Sequence, residues 1–520
     1  MTNVRDDTRT KHKSPAVASA LVRRVSPAAA AQSGDLASLT GRVPPSSISD
    51  NGGPRKANGS VFRDQHVHFV GVGGSGMSGL AELVILQGGT VSGSDLTDST
   101  VLARLAGRGA TIHLQQLANQ ITPETQWVVH SAAIPKDNPE LSEARRRKIP
   151  TLKYAQMLGR LMSGTHGVAV AGTHGKSTTT AMLSYMLKLA GLDPSYVVGA
   201  HVQQLDGSSH AGSGDDFVAE ACEYDRSFLN LEPRCAAILN IEEDHLDYYR
   251  DLEEIIEAFA EFVSRVPADG MVVACTEKEA VAKAVKRVSA RVVSFGLDGS
   301  CEWQAVNLAP ERGRFYFDAV HKGKKLGRFR LNLPGLHNVY NALAVIAIAT
   351  ERGVDRETIG GALSTFEGAA RRLSVKCQLH GVTVVDDYAH HPTEIQVTLK
   401  AARDYFNPQR LIVVFQPHQH SRTRFLLNDF ARCFTSADHI ILPEIFFMRD
   451  SEESRKTVSA SDLTNAITAH GGDARFIPSF KKIVGHLQKT ASPGDLIITM
   501  GAGDVWEIAD ELVRRLGRNH

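Results

Sequence analysis

Gly172-Thr173-His174-Gly175-Lys176-Ser177 follows a short apolar run over 168–171 and precedes a stretch, 178–189, that reads as a helix. Strand, glycine turn and helix start together make an anion site. The first backbone N–H groups of the helix have no partner inside it, and the helix dipole points the same way. Lys176 adds a point charge for β- and γ-phosphates, and the Ser177 hydroxyl a ligand for Mg²⁺. Val170 stands at the first glycine of the longer GxxxxGK[ST] pattern, leaving the shorter Gly-x-x-Gly-Lys-Ser form. A plain glycine turn with a surface lysine would explain these six residues, but not the strand before them or the Ser-Thr-Thr-Thr helix start after them. The expectation is a nucleoside triphosphate site cradled by Gly172, Thr173, His174, Gly175, Lys176, Ser177 and Thr178.

Other chemistry-bearing residues fall at the ends of apolar runs. Glu220 closes the run 216–220, and His245 lies in Asn240-Ile241-Glu242-Glu243-Asp244-His245-Leu246-Asp247, just after the run 235–239. In a parallel α/β sheet these ends gather at one edge, so both residues are placed to meet a Mg²⁺–phosphate cluster. A carboxylate suits that hard cation better than an imidazole, and by itself His245 reads as a helix-start residue. Asn338 and Asn341 open an Ala-rich helix, where they either read an adenine edge or cap the helix. Arg371 and Arg372 offer two guanidiniums for a phosphoryl group in transfer, or else form a solvated basic pair. Near the start, an apolar run over 67–72 leads into Gly71-Val72-Gly73-Gly74-Ser75-Gly76-Met77, then a helical stretch 78–87, a second strand 90–93 and Ser94-Asp95. That is a dinucleotide fingerprint. It places backbone against a diphosphate without saying which nucleotide carries it, so NAD stays open. Ser131 follows a strand over 127–130 and suits either a ligand crevice or a tight turn.

The elements positioning these residues need more than one core. A chain of 520 residues points to about three domains. The expected organisation is α/β throughout: a tail over 1–60, a Rossmann-like domain over 61–160, a central P-loop-type ATPase domain with a mostly parallel sheet over 161–372, and a second Rossmann-like α/β domain over 373–520. The last rests on strands 382–385, 411–415, 439–442 and 495–499, which alternate with helical stretches. The first sixty residues carry nine Lys/Arg against four Asp/Glu and almost no aromatics, so they are expected to be disordered. No apolar h-region marks a secretory signal, and the aspartates count against a transit peptide. A net charge of +1 supplies no field for nucleic acid or membrane surfaces. Six scattered cysteines without a C-x-x-C pair fit a reducing, cytoplasmic setting. No apolar run approaches membrane-spanning length.

Together, GTHGKS, the Glu220 segment, NIEEDHLD, LPGLHNVYNA and Arg371-Arg372 resemble the Mur ligase superfamily of ATP-dependent amide-forming enzymes. GVGGSGMSGLAELV with GSD, and Asp386-Asp387-Tyr388-Ala389-His390-His391-Pro392-Thr393-Glu394, resemble its branch that couples L-alanine to the lactyl carboxylate of UDP-N-acetylmuramate. The resemblance runs over about 61–510 with motifs in family order. It implies ATP and Mg²⁺ as cofactors and an acyl phosphate as intermediate. By resemblance the UDP diphosphate, not NAD, lies on Gly71, Gly73, Gly74, Ser75, Gly76 and Met77, with Ser94, Asp95 and Ser131 nearby. Lys176, Arg371 and Arg372 would face the transferring phosphoryl group, and Ser177, Glu220 and His245 the Mg²⁺. Asn338, Asn341 and Asp386 would hold ATP, Asp386 at its ribose. Tyr388, His390, His418 and Arg422 would line the amino-acid site, His390 nearest the amine. Gln419 stands where the family commonly has arginine, Cys222 and Tyr224 where it has Asp and Ser, and Ser177 where Thr is common. Arg422 or Arg424 is the substitute clamp for the amino-acid carboxylate. The competing readings are a ligase that attaches murein tripeptide to the same UDP-sugar and an NAD-linked dehydrogenase with an appended ATPase; GGSGM favours L-alanine over the tripeptide.

Overall fold

Five strands, β1 (His66–Val70), β2 (Thr90–Ser94), β3 (Thr111–His113), β4 (Trp127–His130) and β5 (Thr151–Lys153), form an all-parallel sheet in the order β3-β2-β1-β4-β5. The computed structural model describes residues 62–518 apart from 132, 448 and 449, so the expectation for 1–60 lies outside the described residues. Chain direction across the sheet reverses between β1 and β4, where an open α/β sheet leaves a crevice at its carboxyl edge. The helix after β1 runs Ser75–Leu86, three residues ahead of the stretch expected from sequence. Two of its glycines serve close packing and not the turn. A Cβ on Gly76 would meet the Tyr154 ring at 2.7 Å, and one on Gly79 would meet Ser209 at 2.5 Å.

The central sheet adds β6 (His166–Ala171), β7 (Ser195–Val202), β8 (Gly207–His210), β9 (Asp216–Ala221), β10 (Cys235–Ile238), β11 (Met271–Ala274), β12 (Arg291–Gly296), β13 (Trp303–Glu311), β14 (Arg314–His321) and β15 (Lys324–Leu331). Their order is β15-β14-β13-β12-β11-β10-β6-β9-β7-β8. It is parallel from β13 to β7, with antiparallel pairs only at β13/β14, β14/β15 and β7/β8. The helix Leu336–Glu351 is buried along its whole middle, Ala342 to Ala349, as a segment apolar on every face must be. The β13–β15 meander is absent from the sequence reading because its edge strand alternates buried Phe329 and Leu331 with Arg328 and Arg330, which resembles surface loop.

The last sheet contains β16 (Ser374–Leu379), β17 (Val382–Asp387), β18 (Arg410–Phe415), β19 (His439–Leu442), β20 (Ala474–Phe476) and β21 (Asp495–Met500) in the order β16-β17-β21-β18-β19-β20. Only the edge pair β16/β17 is antiparallel. β17 runs two residues past the expected end, carrying Asp386 and Asp387 as strand residues. Among the described residues no helix is long and apolar enough to cross a membrane.

Candidate active site

β6 delivers its last residue to a loop whose glycines are obligatory. Gly172 has φ +144° and Gly175 φ +85°. A Cβ on Gly175 would also stand 2.6 Å from Asn341 Oδ1. The helix Lys176–Leu189 starts directly on Lys176, so the backbone N–H groups of the first turn face the loop. Asn240, at the end of β10, braces the loop: it accepts from the His174 N–H at 2.7 Å, and its own amide donates to His174 O at 3.1 Å. Lys176 Nζ donates to Gly172 O at 2.5 Å and Thr173 O at 3.0 Å, and pairs with Glu223 at 3.0 Å. Burial would weaken its charge, but Glu223 more than compensates, and its pKa lies above the ordinary lysine value.

The Ser177 hydroxyl lies beside the Glu220 carboxylate, to which the Gly199 N–H donates. Burial raises the Glu220 pKa against those bonds. Hydroxyl and carboxylate oxygens are the donor set a hard divalent cation takes. His245 lies with its Nε2 3.6 Å from Glu223 and 3.8 Å from Asp244. Glu223 is thus shared by the loop lysine and His245, a role the sequence reading missed. Its only signal was its position three residues beyond Glu220.

Between this loop and the third sheet lies a cavity of about 380 Å³, walled by His174, Gly175, Asn338, Asn341, Arg372, Asp387 and Glu394. Neither asparagine caps its helix, whose cap is Gly335. Asn338 donates to Pro334 O at 2.7 Å, and Asn341 donates to Asn338 at 3.0 Å while its oxygen lies beneath Gly175. Two adjacent pairs, Arg371-Arg372 and Asp386-Asp387, divide between the cavity and the fold behind it. Arg371 turns away from the cavity and binds Asp386 at 2.9 Å and Gly501 O at 2.7 Å, while Arg372 is the guanidinium on the cavity wall. Asp386 is likewise spent on Arg371 and on Thr499, 2.7 Å away, and its neighbour Asp387 lines the cavity. Successive strand residues point to opposite faces, so only one of two adjacent aspartates can look into the site. Burial pushes the Asp387 pKa up to about 6.

His174 is the hub of the cavity's rim. Its Nδ1 is 3.1 Å from Glu394 and its Nε2 3.4 Å from Glu242, with the His391 ring 4.9 Å away. Burial alone would lower its pKa, but the two carboxylates raise it to about 9. His174, Glu242 and His391 hold one donor atom each within 4.8 Å of one another. The imidazolium, however, has no lone pair to give a metal.

Tyr388, His390, His418 and Arg422 do come together. His390 packs 5.3 Å from the Tyr388 ring and 6.1 Å from the His418 ring, and its Nδ1 meets Tyr388 O at 3.0 Å. Burial drives the His390 pKa down to about 3, leaving a neutral imidazole with Nε2 as acceptor. Arg422, 3.4 Å from His418, is committed to Asp244 of the central domain at 2.8 Å, and both are buried. Burial would raise the Asp244 pKa, but Arg422 holds it far below the carboxylate range. Gln419 is buried at φ +68°, with its N–H on Phe446 O at 3.1 Å. Arg424 is exposed, stacked on Phe425.

In the first domain, Gly71 (φ +79°) bonds Ser94 O through its N–H at 2.8 Å, and the Gly73 N–H donates to Asp95 at 2.9 Å. Gly74 precedes the helix that Ser75 opens. Ser131 lies beside Gly71. Two side chains point elsewhere than expected. Met77 is buried in the core, and the Ser94 hydroxyl donates to buried Glu140 at 2.7 Å, part of a network with His68 that the sequence did not betray.

Three family models match the chain: "Mur ligase family, catalytic domain" over 66–166, "Mur ligase middle domain" over 170–349, and "Mur ligase, glutamate ligase domain" over 371–503. A UDP-N-acetylmuramate–L-alanine ligase of Caldanaerobacter subterraneus subsp. tengcongensis is 41% identical, over 86% of this chain and 97% of that protein. The enzyme of that name from Geobacter sp. (strain M21) is 42% identical, over 87% and 98%. Among solved structures, the UDP-N-acetylmuramate–alanine ligase of Thermotoga maritima is similar with a TM-score of 0.73 at 27% identity, covering 88% of this chain and all of that one. A murein peptide ligase of Psychrobacter arcticus follows at 0.67 and 28%, covering 88% and 99%.

Proposed function

The chain belongs to the Mur ligase family, and from that premise we propose that it is the ATP-dependent ligase joining L-alanine to UDP-N-acetylmuramate, a step of peptidoglycan precursor synthesis. The observation that carries the reading is the 41–42% identity to enzymes of that activity across 86–87% of the chain. A cavity walled both by the phosphate loop and by Asp387 and Glu394 of the C-terminal domain supports it.

A carboxylate is a poor acyl electrophile, because its oxygens do not leave and its charge repels a nucleophile. A lactyl oxygen attacks the ATP γ-phosphorus, the bond to the β-phosphate oxygen breaks, and ADP leaves an acyl phosphate. The neutral amine of alanine then adds to the acyl carbon, and the tetrahedral species expels phosphate as the amine loses its proton. The protein supplies position and charge. Lys176 and Arg372 bear on the transferring phosphoryl group, with Arg371 fixing the segment through Asp386. Ser177 and Glu220, with His245 held by Glu223, would hold Mg²⁺, which when bound would supply charge neutralisation at the phosphates. Gly172, Thr173, His174, Gly175 and Thr178 cradle ATP, and Asn338, Asn341 and Asp387 border it. Neutral His390 accepts a hydrogen bond from the incoming amine through Nε2 and so orients its lone pair; with so low a pKa it holds the amine without taking its proton at equilibrium. The domains run 61–160, 161–372 and 373–520. A cytoplasmic location is part of the proposal, supported by the absence of any disulfide among the six cysteines.

The test is phosphate release from ATP and Mg²⁺ with UDP-N-acetylmuramate and single amino acids. Release requiring both the UDP-sugar and L-alanine is expected. Release with the tripeptide L-alanyl-γ-D-glutamyl-meso-diaminopimelate and not with alanine would assign the chain to the peptide-recycling branch instead.

A further inference from the structure

Tyr154 stands where the first domain hands over to the central one, directly after β5 at the carboxyl edge of the first sheet. Its ring lies flat enough on the first turn of Ser75–Leu86 that Cε2, Cζ and the hydroxyl oxygen would be 2.7–3.0 Å from a Cβ on Gly76. Only glycine leaves room for it there. The neighbouring Lys153 pairs with Asp225 of the central domain at 3.3 Å, which holds this corner against the segment that follows Glu220 and Cys222. Among the described residues the Tyr154 hydroxyl has no hydrogen-bond partner. A buried or half-buried phenol normally finds one, so an uncommitted hydroxyl between two ligand-binding edges points to a ligand.

The route of the substrate gives that hydroxyl its meaning. This inference rests on the ligase reading. A sugar nucleotide whose diphosphate sits on the glycine loop must reach across to the phosphate loop for its carboxylate to meet the γ-phosphate. We infer that the Tyr154 hydroxyl donates a hydrogen bond to the sugar nucleotide on the distal side of its α-phosphate, along the β-phosphate–muramyl segment, and so sets the length and direction of that crossing. Burial, with Glu220 and Cys222 nearby, pushes the phenol pKa up, which keeps the proton available for donation to an anionic oxygen throughout the physiological range. The ring face, meanwhile, keeps Gly76 and the helix start in place.

Tyr154→Phe separates the two roles, because it keeps the ring on Gly76 and removes only the hydroxyl. Titration calorimetry of the full-length chain with UDP-N-acetylmuramate and with UMP is the direct measurement. A lost hydrogen bond to a charged acceptor should weaken the sugar nucleotide about 10-fold. UMP, which lacks the distal segment, should bind wild type and variant alike. In turnover, KM for UDP-N-acetylmuramate should rise by the same factor, with kcat and KM for ATP unchanged. Unchanged affinity for the sugar nucleotide would overturn the inference. So would an equal loss for UMP, since that signals a distorted loop. The ligase reading fails separately: if wild type binds the sugar nucleotide but releases no phosphate with any amine, the activity is wrong while the Tyr154 contact is still tested by the two affinities.

Discussion

At the scale of single residues, adjacent side chains of the same type do different work here. Arg371 and Arg372 are neighbours, yet one guanidinium is bonded to Asp386 and backbone carbonyls while the other faces the cavity. Arg372→Ala should therefore lower kcat for phosphate release by about 10²–10³-fold with little change in thermal unfolding, the size expected for one lost transition-state charge contact. Arg371→Ala should instead leave Asp386 buried without its counter-charge and lower the unfolding temperature of the C-terminal domain. Calorimetry and steady-state kinetics on the pair would distinguish them, and reversed phenotypes would refute the assignment. The same logic separates Asp386 from Asp387. A sequence shows the doublet; the strand's two-residue period decides which member sees the site.

At the scale of elements, a buried ion pair ties the central and C-terminal domains: Asp244 to Arg422, both at 9% side-chain exposure or less and 2.8 Å apart. Removing either partner strands a buried charge, at a cost of about 3–5 kcal/mol. Asp244→Asn and Arg422→Leu should each destabilise the C-terminal domain strongly, and the double variant should be less damaged than their sum; additive effects would refute the buried pair. Gly175 gives a second element-scale expectation. At φ +85° and against Asn341, Gly175→Ala should distort the phosphate loop, so ATP affinity measured by titration falls while the sheet behind it stays folded. The turn's glycines were legible from sequence because only glycine adopts those angles cheaply. The packing glycines Gly76 and Gly79 were not, because the neighbour that excludes a side chain comes from elsewhere in the chain.

At the scale of the whole molecule, domains meet through titratable groups, so pH acts on their association. His174, on the central domain, has a pKa raised to about 9 by Glu394 of the C-terminal domain and by Glu242. A raised histidine pKa contributes stability that is complete below about pH 6.5, its unfolded value, and is lost as pH climbs through 9. Glu242, lowered to about 2, contributes above about pH 4.5 and loses its contribution as pH falls through 2. The stability difference between wild type and His174→Gln, on the order of 3 kcal/mol, should thus be largest near pH 4.5–6.5 and shrink between pH 6.5 and 9. Denaturant unfolding across that range measures it, and a pH-independent difference would refute the network. Hinge closure of the three domains around their substrates should compact the particle, and identical small-angle scattering with and without ATP and UDP-sugar would argue against it.

The sequence alone determined which short stretches carry chemistry and the class of fold holding them, because phosphate loops, glycine turns and apolar strand runs are local in the chain. The glycine turn before Lys176 and the strand ends at Glu220 and before Tyr388 were readable as elements for that reason. Only tertiary structure decided that Glu223 holds Lys176, that Asp244 occupies Arg422, that Arg371 is bonded to Asp386, and that Tyr154 crosses to Gly76. Each of these depends on a partner distant in sequence, or on which face of a strand meets the cavity. Burial and charge then assign the protonation states on which the chemistry rests.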